Sequence, residues 1–106
     1  MDMKKRTRPP STPGDVLKGL CLEPLGMTVN ALAERIGVSR KALSSLINGH
    51  SAVSVDMAMR LGRVFSTSPE MWLNLQRNLD VWQATHSPGA WQNIKPIQEP
   101  FDILED

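Results

Sequence analysis

The stretch Val29–Asn48 constrains the fold most, because its apolar residues form two short helical repeats separated by a single glycine. Leu32, Ala33 and Ile36 recur at the spacing of one helix face. Gly37 then interrupts the pattern and supplies the left-handed backbone conformation that a tight helix exit needs. The helical spacing resumes with Leu43, Leu46 and Ile47. We therefore predict two helices joined by a tight turn.

Three further residues favour a helix-turn-helix. Ala33 is small where two helices must approach closely, and Val38 is an apolar residue beneath the turn. Ser39 stands at the expected N-cap of the second helix, where its hydroxyl can accept a hydrogen bond from a free backbone N–H. The alternative is a plain amphipathic helix hairpin with a solvated outer face. The combined spacing of the small, glycine and apolar positions favours the helix-turn-helix.

The outward face of the second helix is the candidate functional surface. Two cations at the start of a helix oppose its dipole, and adjacent serines are mediocre helix formers, so helix stability does not explain these residues. Cations there can instead reach guanine edges or phosphates in a DNA major groove. We predict base contacts from Arg40, Lys41, Ser44 and Ser45, and contacts to the DNA backbone from Thr28, Asn30, Ser39 and Asn48.

Composition limits the remaining possibilities. The chain has 106 residues and a formal net charge of +1, so one domain is expected and DNA binding must depend on the distribution of charge. The single Cys21 excludes an internal disulfide and is typical of a reducing compartment. Cys21, His50 and His86 lack the spacing of metal ligands, so we expect no metal and no cofactor.

No apolar run approaches the roughly 18 residues of a membrane span, and the first residues lack the apolar core of a signal peptide. We therefore expect a cytoplasmic protein, with no membrane partner. No paired carboxylates or nucleophile–base arrangement emerges, which makes an enzyme such as a small nuclease the weakest interpretation.

Three more helices are predicted around the helix-turn-helix. Thr12-Pro13-Gly14-Asp15 begins the first helix, which we expect to end near Leu22 because Glu23-Pro24 follows. Its predicted apolar face is Val16, Leu17, Leu20 and Cys21. Ser54 caps the fourth helix, whose inner stripe is Met57, Ala58, Leu61, Val64 and Phe65. On this fourth helix Arg60 and Arg63 are expected to lie on a solvated face, or to contact DNA or a partner.

The fifth helix begins at Ser68-Pro69-Glu70, which combines a capping serine, a proline and an acid in the first turn. Its predicted core side is Met71, Trp72, Leu75, Leu79 and Trp82, with Leu73 and Val81 directed away. These apolar positions exceed what one surface helix needs, so we predict a second contact surface, most simply a homodimer. Its candidate interface residues are Leu73, Val81, Trp82 and Trp91.

The sequence thus predicts an all-α, five-helix domain with a helix-turn-helix over residues 13–86, and the family resemblance given below implies a Cro/repressor-like fold for it. Residues 1–12 are predicted to be a flexible basic arm that follows DNA phosphates or enters a minor groove, or is only a solvated tail. Residues 87–106 are predicted to be an irregular acidic tail: a short strand, a disordered segment that folds onto a basic protein partner, or a loosely attached end. The basic residues of the arm are Lys4, Lys5, Arg6 and Arg8, and the last acids are Glu99, Asp102, Glu105 and Asp106.

Three segments and the helix-turn-helix together resemble the HigA antitoxins of the XRE-type, Cro-like DNA-binding class. The segments are Thr12-Pro13-Gly14-Asp15-Val16-Leu17, Met57-Ala58-Met59-Arg60-Leu61-Gly62 and Ser68-Pro69-Glu70-Met71-Trp72-Leu73-Asn74-Leu75-Gln76. The resemblance covers roughly residues 13–82. The family often has His where this chain has Thr12.

The resemblance implies a bacterial, nucleoid-associated protein of a type II toxin–antitoxin system. Such a protein neutralises a HigB-like mRNA-cleaving toxin and, as a dimer, represses its own operon through double-stranded operator DNA. The DNA-reading helix of the family corresponds here to Ser39 through Asn48. A free-standing XRE-type transcriptional repressor without a toxin partner is the alternative, and the domain itself does not discriminate between the two.

Overall fold

A computed structural model describes residues 8–97, and within that range the chain forms five helices and no strand. Helix α1 comprises an α-helical turn Pro13–Val16, a π-helical segment Leu17–Leu22 and a last turn Glu23–Leu25. The other helices are α2 (Val29–Ile36), α3 (Arg40–Ile47), α4 (Val55–Phe65) and α5 (Pro69–Thr85), followed by a short 3₁₀ turn, Ala90–Asn93. The predicted all-α, five-helix fold is confirmed. The predictions for Lys4, Lys5 and Arg6 and for the last acids concern residues outside this range.

Every α-helical N-terminus is capped by a side-chain hydroxyl, as predicted. Each capping oxygen accepts a hydrogen bond from the backbone N–H three residues further on, at distances from 2.9 Å for Thr12 to 3.2 Å for Ser68. At α1 the contact is reciprocal, because the Asp15 carboxylate also accepts from the Thr12 backbone N–H. The five caps are Thr12, Thr28, Ser39, Ser54 and Ser68. These caps fix where each helix begins.

Helix α1 does not end where the sequence predicts. The predicted end near Leu22 is wrong: the helix continues to Leu25 and ends at Gly26, which has φ of 60°. In a regular α-helix the ring of Pro24 would clash with the carbonyl group four residues earlier. The π-helical turn avoids this clash, and the Glu23 N–H donates five residues back to the Lys18 carbonyl.

The π-helical segment also changes which side chains of α1 reach the core. Residues five apart come close to the same face in a π-helix, so Leu17 and Leu22 are both buried. Leu20, predicted on the apolar face, is 73% exposed, and that prediction is wrong. Cys21 is half-buried against the core, and burial raises the pKa of its thiol.

The core joins all five helices and has Trp72 as its largest fully buried side chain. The Trp72 indole Nε1 donates to the Thr67 Oγ1 at 2.8 Å, so its one polar group is satisfied. The Phe65 ring lies 6.3 Å from the Trp72 ring, centroid to centroid. The other buried apolar residues are Leu17, Leu22, Leu32, Ala33, Ile36, Leu43, Leu46, Val53, Ala58 and Leu61.

Helix α5 contributes to the core mainly through its first half. Leu73, predicted to point away from the core, packs against it and is half-buried, so its predicted direction is wrong. Leu79 and Trp82, predicted on the core side, do not belong to the core cluster. Leu79, Asp80 and Gln83 of its second half instead line a surface pocket together with the start of α1 and the loop after α3.

Replacing Trp72 with alanine should lower the free energy of unfolding by about 3–5 kcal/mol, because it leaves a large cavity. Urea unfolding followed by circular dichroism measures this change. The matched control is Val55→Ala on α4, where truncation of a side chain that is 65% exposed should change the free energy of unfolding by less than about 0.5 kcal/mol. Equal unfolding midpoints for the two variants would contradict the core assignment of Trp72.

Candidate nucleic-acid interface

Helix α3 buries one face and leaves the predicted recognition face at the surface. Leu43 and Leu46 are buried, whereas Arg40, Lys41 and Asn48 are exposed. Ser44 and Ser45 are half-buried. A shallow surface groove brings these side chains together, and its lining residues are Arg40, Lys41, Ser44, Ser45, Asn48 and His50. The face therefore presents cations, hydroxyls and an amide to one side of the domain.

The two cations of this face are electrically uncompensated. Over residues 8–97, Arg60 and Asp56 form the only ion pair within 4.0 Å, so Arg40 and Lys41 pair with no described carboxylate. Both residues lie in the first turn of α3, at the positive end of the helix dipole. Their charges add to that dipole, and this end of α3 favours an anion such as a phosphate.

The predicted backbone-contact residues at the helix starts can still act as donors. Thr28 Oγ1 accepts from the Ala31 N–H at 3.0 Å, and Ser39 Oγ accepts from the Ala42 N–H at 3.0 Å. Each hydroxyl keeps its own proton, which can be donated to a phosphate oxygen. Asn30 is exposed in the first turn of α2. The three residues lie at the starts of α2 and α3.

The remaining predicted contact, Asn48, lies at the C-cap of α3. Its Nδ2 donates to the Ser44 Oγ at 3.4 Å, one helical turn earlier. His50 follows in the loop, is exposed and lines the same groove. The sequence analysis did not include His50 among the eight predicted DNA contacts. The structure brings it beside the recognition face.

Two close contacts fix the orientation of α3. Gly37 has φ of 75°, a conformation that favours glycine, and its N–H closes α2 by donating to the Ala33 carbonyl. At the other end, the Gly14 backbone of α1 packs against Ile47, so that a Cβ on Gly14 would lie 2.2 Å from the Ile47 carbonyl oxygen. A side chain at Gly14 would therefore displace α1 from α3.

Arg60 is a structural residue that the sequence analysis placed on a solvated face. Its Nη1 donates to the Ile36 carbonyl at 2.6 Å and to the Gly37 carbonyl at 3.4 Å. Asp56 holds the same guanidinium through Nε at 2.7 Å. Arg60 thereby satisfies the C-terminal carbonyls of α2, immediately before the turn into α3. Asp56 and Arg60 are one helical turn apart, and this spacing could have predicted their ion pair. It could not have predicted the contacts of Arg60 with the carbonyls of Ile36 and Gly37.

Gln76 is a second residue that the sequence analysis did not assign. Its Oε1 accepts from the Val53 backbone N–H at 3.0 Å, and its Nε2 donates to the Asp80 Oδ1 at 2.9 Å. Val53 lies in the loop between α3 and α4. Gln76 therefore ties the long helix α5 to the loop that follows the recognition helix.

The four residues predicted for a second contact surface differ in exposure. Val81 and Trp91 are 56% and 50% exposed. Trp82 is half-buried and stacks on His86, with ring centroids 4.0 Å apart. The enclosed Trp82 Nε1 has no hydrogen-bond acceptor among the described residues. Leu73, Val81, Trp82 and Trp91 stay candidate interface residues.

Among residues 8–97 no group of three His, Cys, Asp or Glu side chains is arranged to hold a metal ion. No described helix combines the length and apolarity needed to cross a bilayer.

Comparison with known proteins agrees with this geometry. A family model described as Helix-turn-helix matches residues 20–72. The chain is 45% identical, over 96% of its length and 90% of the relative, to the uncharacterized HTH-type transcriptional regulator YbaQ of Escherichia coli K12. It is 42% identical to antitoxin HigA-1 of Vibrio cholerae over 76% of this chain and 75% of that protein.

The structure of Pseudomonas aeruginosa antitoxin HigA with the higBA promoter is also similar. It aligns with a TM-score of 0.77 and 32% identity, covering 83% of this chain and 98% of that one. The fold and the exposed face of α3 are those of a helix-turn-helix protein. The chain belongs to the XRE-type helix-turn-helix family that includes the HigA antitoxins.

Replacing Arg60 with glutamine should lower the free energy of unfolding by about 1–2 kcal/mol, because the carbonyls of Ile36 and Gly37 lose a charged donor. Chemical denaturation measures the change. Arg77→Gln is the control, since Arg77 is an exposed arginine of α5 that contacts only Asn74 of its own helix. If both variants unfold like the parent, Arg60 does not stabilise the end of α2.

Proposed function

We propose that this chain is a sequence-specific DNA-binding antitoxin of a type II toxin–antitoxin system. It neutralises a HigB-like mRNA-cleaving toxin and represses its own operon, and no catalytic step is assigned to the chain itself. The observation that carries the DNA-binding part is the uncompensated cationic face of α3, on which Arg40 and Lys41 lie beside Ser44, Ser45 and Asn48. The protein then acts in the bacterial cytoplasm, at the nucleoid.

The contacts divide by the chemistry of the side chains. Arg40 and Lys41 are long enough to reach acceptor atoms of guanine in the major groove, and the short hydroxyls of Ser44 and Ser45 allow close approach of the helix. Thr28, Asn30, Ser39 and Asn48 lie at helix ends, where hydroxyls and amides suit phosphate oxygens. Phosphate contacts position the protein, and base contacts give it sequence preference.

The proposed DNA-binding unit is a two-fold homodimer. In a dimer of this class the two recognition helices enter successive major grooves, about 34–36 Å apart, and the operator is palindromic. Leu73, Val81, Trp82 and Trp91 supply the surface for self-association, and the side chains of Val81 and Trp91 are exposed in the monomer. Residues 13–86 form the DNA-binding domain, with residues 1–12 as a basic arm and residues 87–106 as a tail.

Two similar proteins that are antitoxins support the antitoxin role. One is antitoxin HigA-1, and the other is the Pseudomonas aeruginosa antitoxin HigA, whose structure includes the higBA promoter. One observation favours the second candidate, a free-standing repressor. The relative YbaQ is named as a transcriptional regulator, and it matches 96% of this chain, compared with 76% for HigA-1.

A co-expression experiment distinguishes the two candidates. An antitoxin should relieve the growth arrest caused by the small basic protein encoded beside its gene, and a gel shift with the upstream DNA should change when that protein is added. A free-standing repressor should bind the same DNA without any toxic neighbour. Growth arrest that persists on co-expression with every adjacent reading frame rules out the antitoxin role.

Replacing Arg40 with alanine should weaken binding to the specific operator by about 1–3 kcal/mol, or roughly fivefold to 150-fold, if Arg40 contacts a base. Fluorescence anisotropy with operator and unrelated duplexes measures both affinities at one salt concentration. Folding and toxin neutralisation should stay intact, and Arg77→Ala on α5 serves as the control. An equal loss on unrelated DNA would instead identify Arg40 as a phosphate contact.

A further inference from the structure

A second basic groove lies between the C-terminal end of α2 and the helix α4. Its volume is about 440 Å³, and it shares no lining residue with the groove of the recognition face. The lining residues are Arg35, Ile36, Arg60, Arg63 and Val64. We call it the α2–α4 groove. None of the residues proposed to contact the operator lines the α2–α4 groove.

The α2–α4 groove combines an apolar floor with cationic edges. Ile36 and Val64 form the floor, and both belong to or pack against the core. Arg60 is already held by Asp56 and two backbone carbonyls. Arg35 and Arg63 are exposed, and neither pairs with a carboxylate among residues 8–97. The groove therefore fits an extended peptide that alternates carboxylates with apolar side chains.

This chain carries such a peptide at its own C-terminus. Residues 98–106 read Gln-Glu-Pro-Phe-Asp-Ile-Leu-Glu-Asp, and they hold four of the 11 acids of the chain and no cation. Phe101, Ile103 and Leu104 stand among these acids. We propose that the α2–α4 groove binds residues 98–106 of a second copy of this chain.

A second copy is the favoured source because of where the tail leaves the domain. The α2–α4 groove lies near the end of α4, which leads directly into the start of α5. The tail is separated from the opposite end of α5 by residues 86–97. Ile94 and Ile97, just before the tail, are 75% and 76% exposed and do not pack on the domain. The tail therefore starts from a segment that projects outward.

Reciprocal exchange of tails between two copies strengthens a tail–groove contact that is weak by itself. Each exposed Arg–carboxylate pair contributes little alone. Two tails that bind two grooves around a two-fold axis form a closed arrangement, and the second contact then forms at high effective concentration. The proposal is independent of whether the recognition face binds an operator.

Peptide binding tests the groove directly. The probe is a fluorescein-labelled peptide of residues 98–106, and the receiver is the full-length chain with Glu99→Gln, Asp102→Asn, Glu105→Gln and Asp106→Asn, which removes competition by its own tail. Adding Arg35→Glu and Arg63→Glu to the receiver should weaken binding about tenfold, and binding to the unaltered groove should weaken as salt increases.

The matched control for this measurement is Arg77→Glu, a charge reversal at an exposed arginine of α5 outside the groove. It should change the affinity less than about twofold. Arg60 is left unchanged because it holds the end of α2, and thermal melting confirms that each receiver is folded. Equal binding by the groove variant and the control, or no binding to either receiver, overturns the proposal.

Sedimentation of mixtures tests the second copy. The groove variant and the tail variant should each associate less than the parent, and an equimolar mixture should regain part of the association because one partner supplies a groove and the other a tail. Unchanged association in both variants, or a mixture that associates no more than either variant alone, contradicts the proposal.

Discussion

The contact of Arg60 with the end of α2 is the interaction on which the recognition face most depends. A turn of three residues separates α2 from α3, so the direction of α3 follows from how α2 ends. The carbonyls of Ile36 and Gly37 have no further helical partner there, and the guanidinium of Arg60 supplies donors from α4. Asp56 restrains that guanidinium in turn. The helix that carries Arg40 and Lys41 is therefore oriented by an ion pair located on another helix.

The parts of the fold that depend on neighbouring residues could be predicted from the sequence. All five helix starts follow from a hydroxyl and the N–H three residues later, which is a local interaction. The exposed face of α3 follows from the spacing of Leu43 and Leu46, which need a core on one side only. The family resemblance read from the same residues agrees with the comparisons.

The missed features depend on residues distant in sequence or on a rare backbone geometry. Arg60 contacts a carbonyl 24 residues away, and Gln76 contacts an N–H 23 residues away, so neither partner can be read from local spacing. Pro24 is usually a sign of a helix end, but a π-helical turn let α1 continue and moved Leu22 into the core instead of Leu20. The roles of the eight predicted DNA contacts stay predictions, although the structure shows that six of them are exposed.

The packing of Gly14 against the last turn of α3 has a geometric consequence for the cations that precede it. Pro10 and Pro13 are buried, so the chain is anchored a few residues before α1, beside the exit of the recognition helix and the loop that contains His50. Six residues of extended chain, the separation of Lys4 from Pro10, span at most about 20 Å. Covalent connection alone therefore keeps the backbones of Lys4, Lys5 and Arg6 within that distance of Pro10.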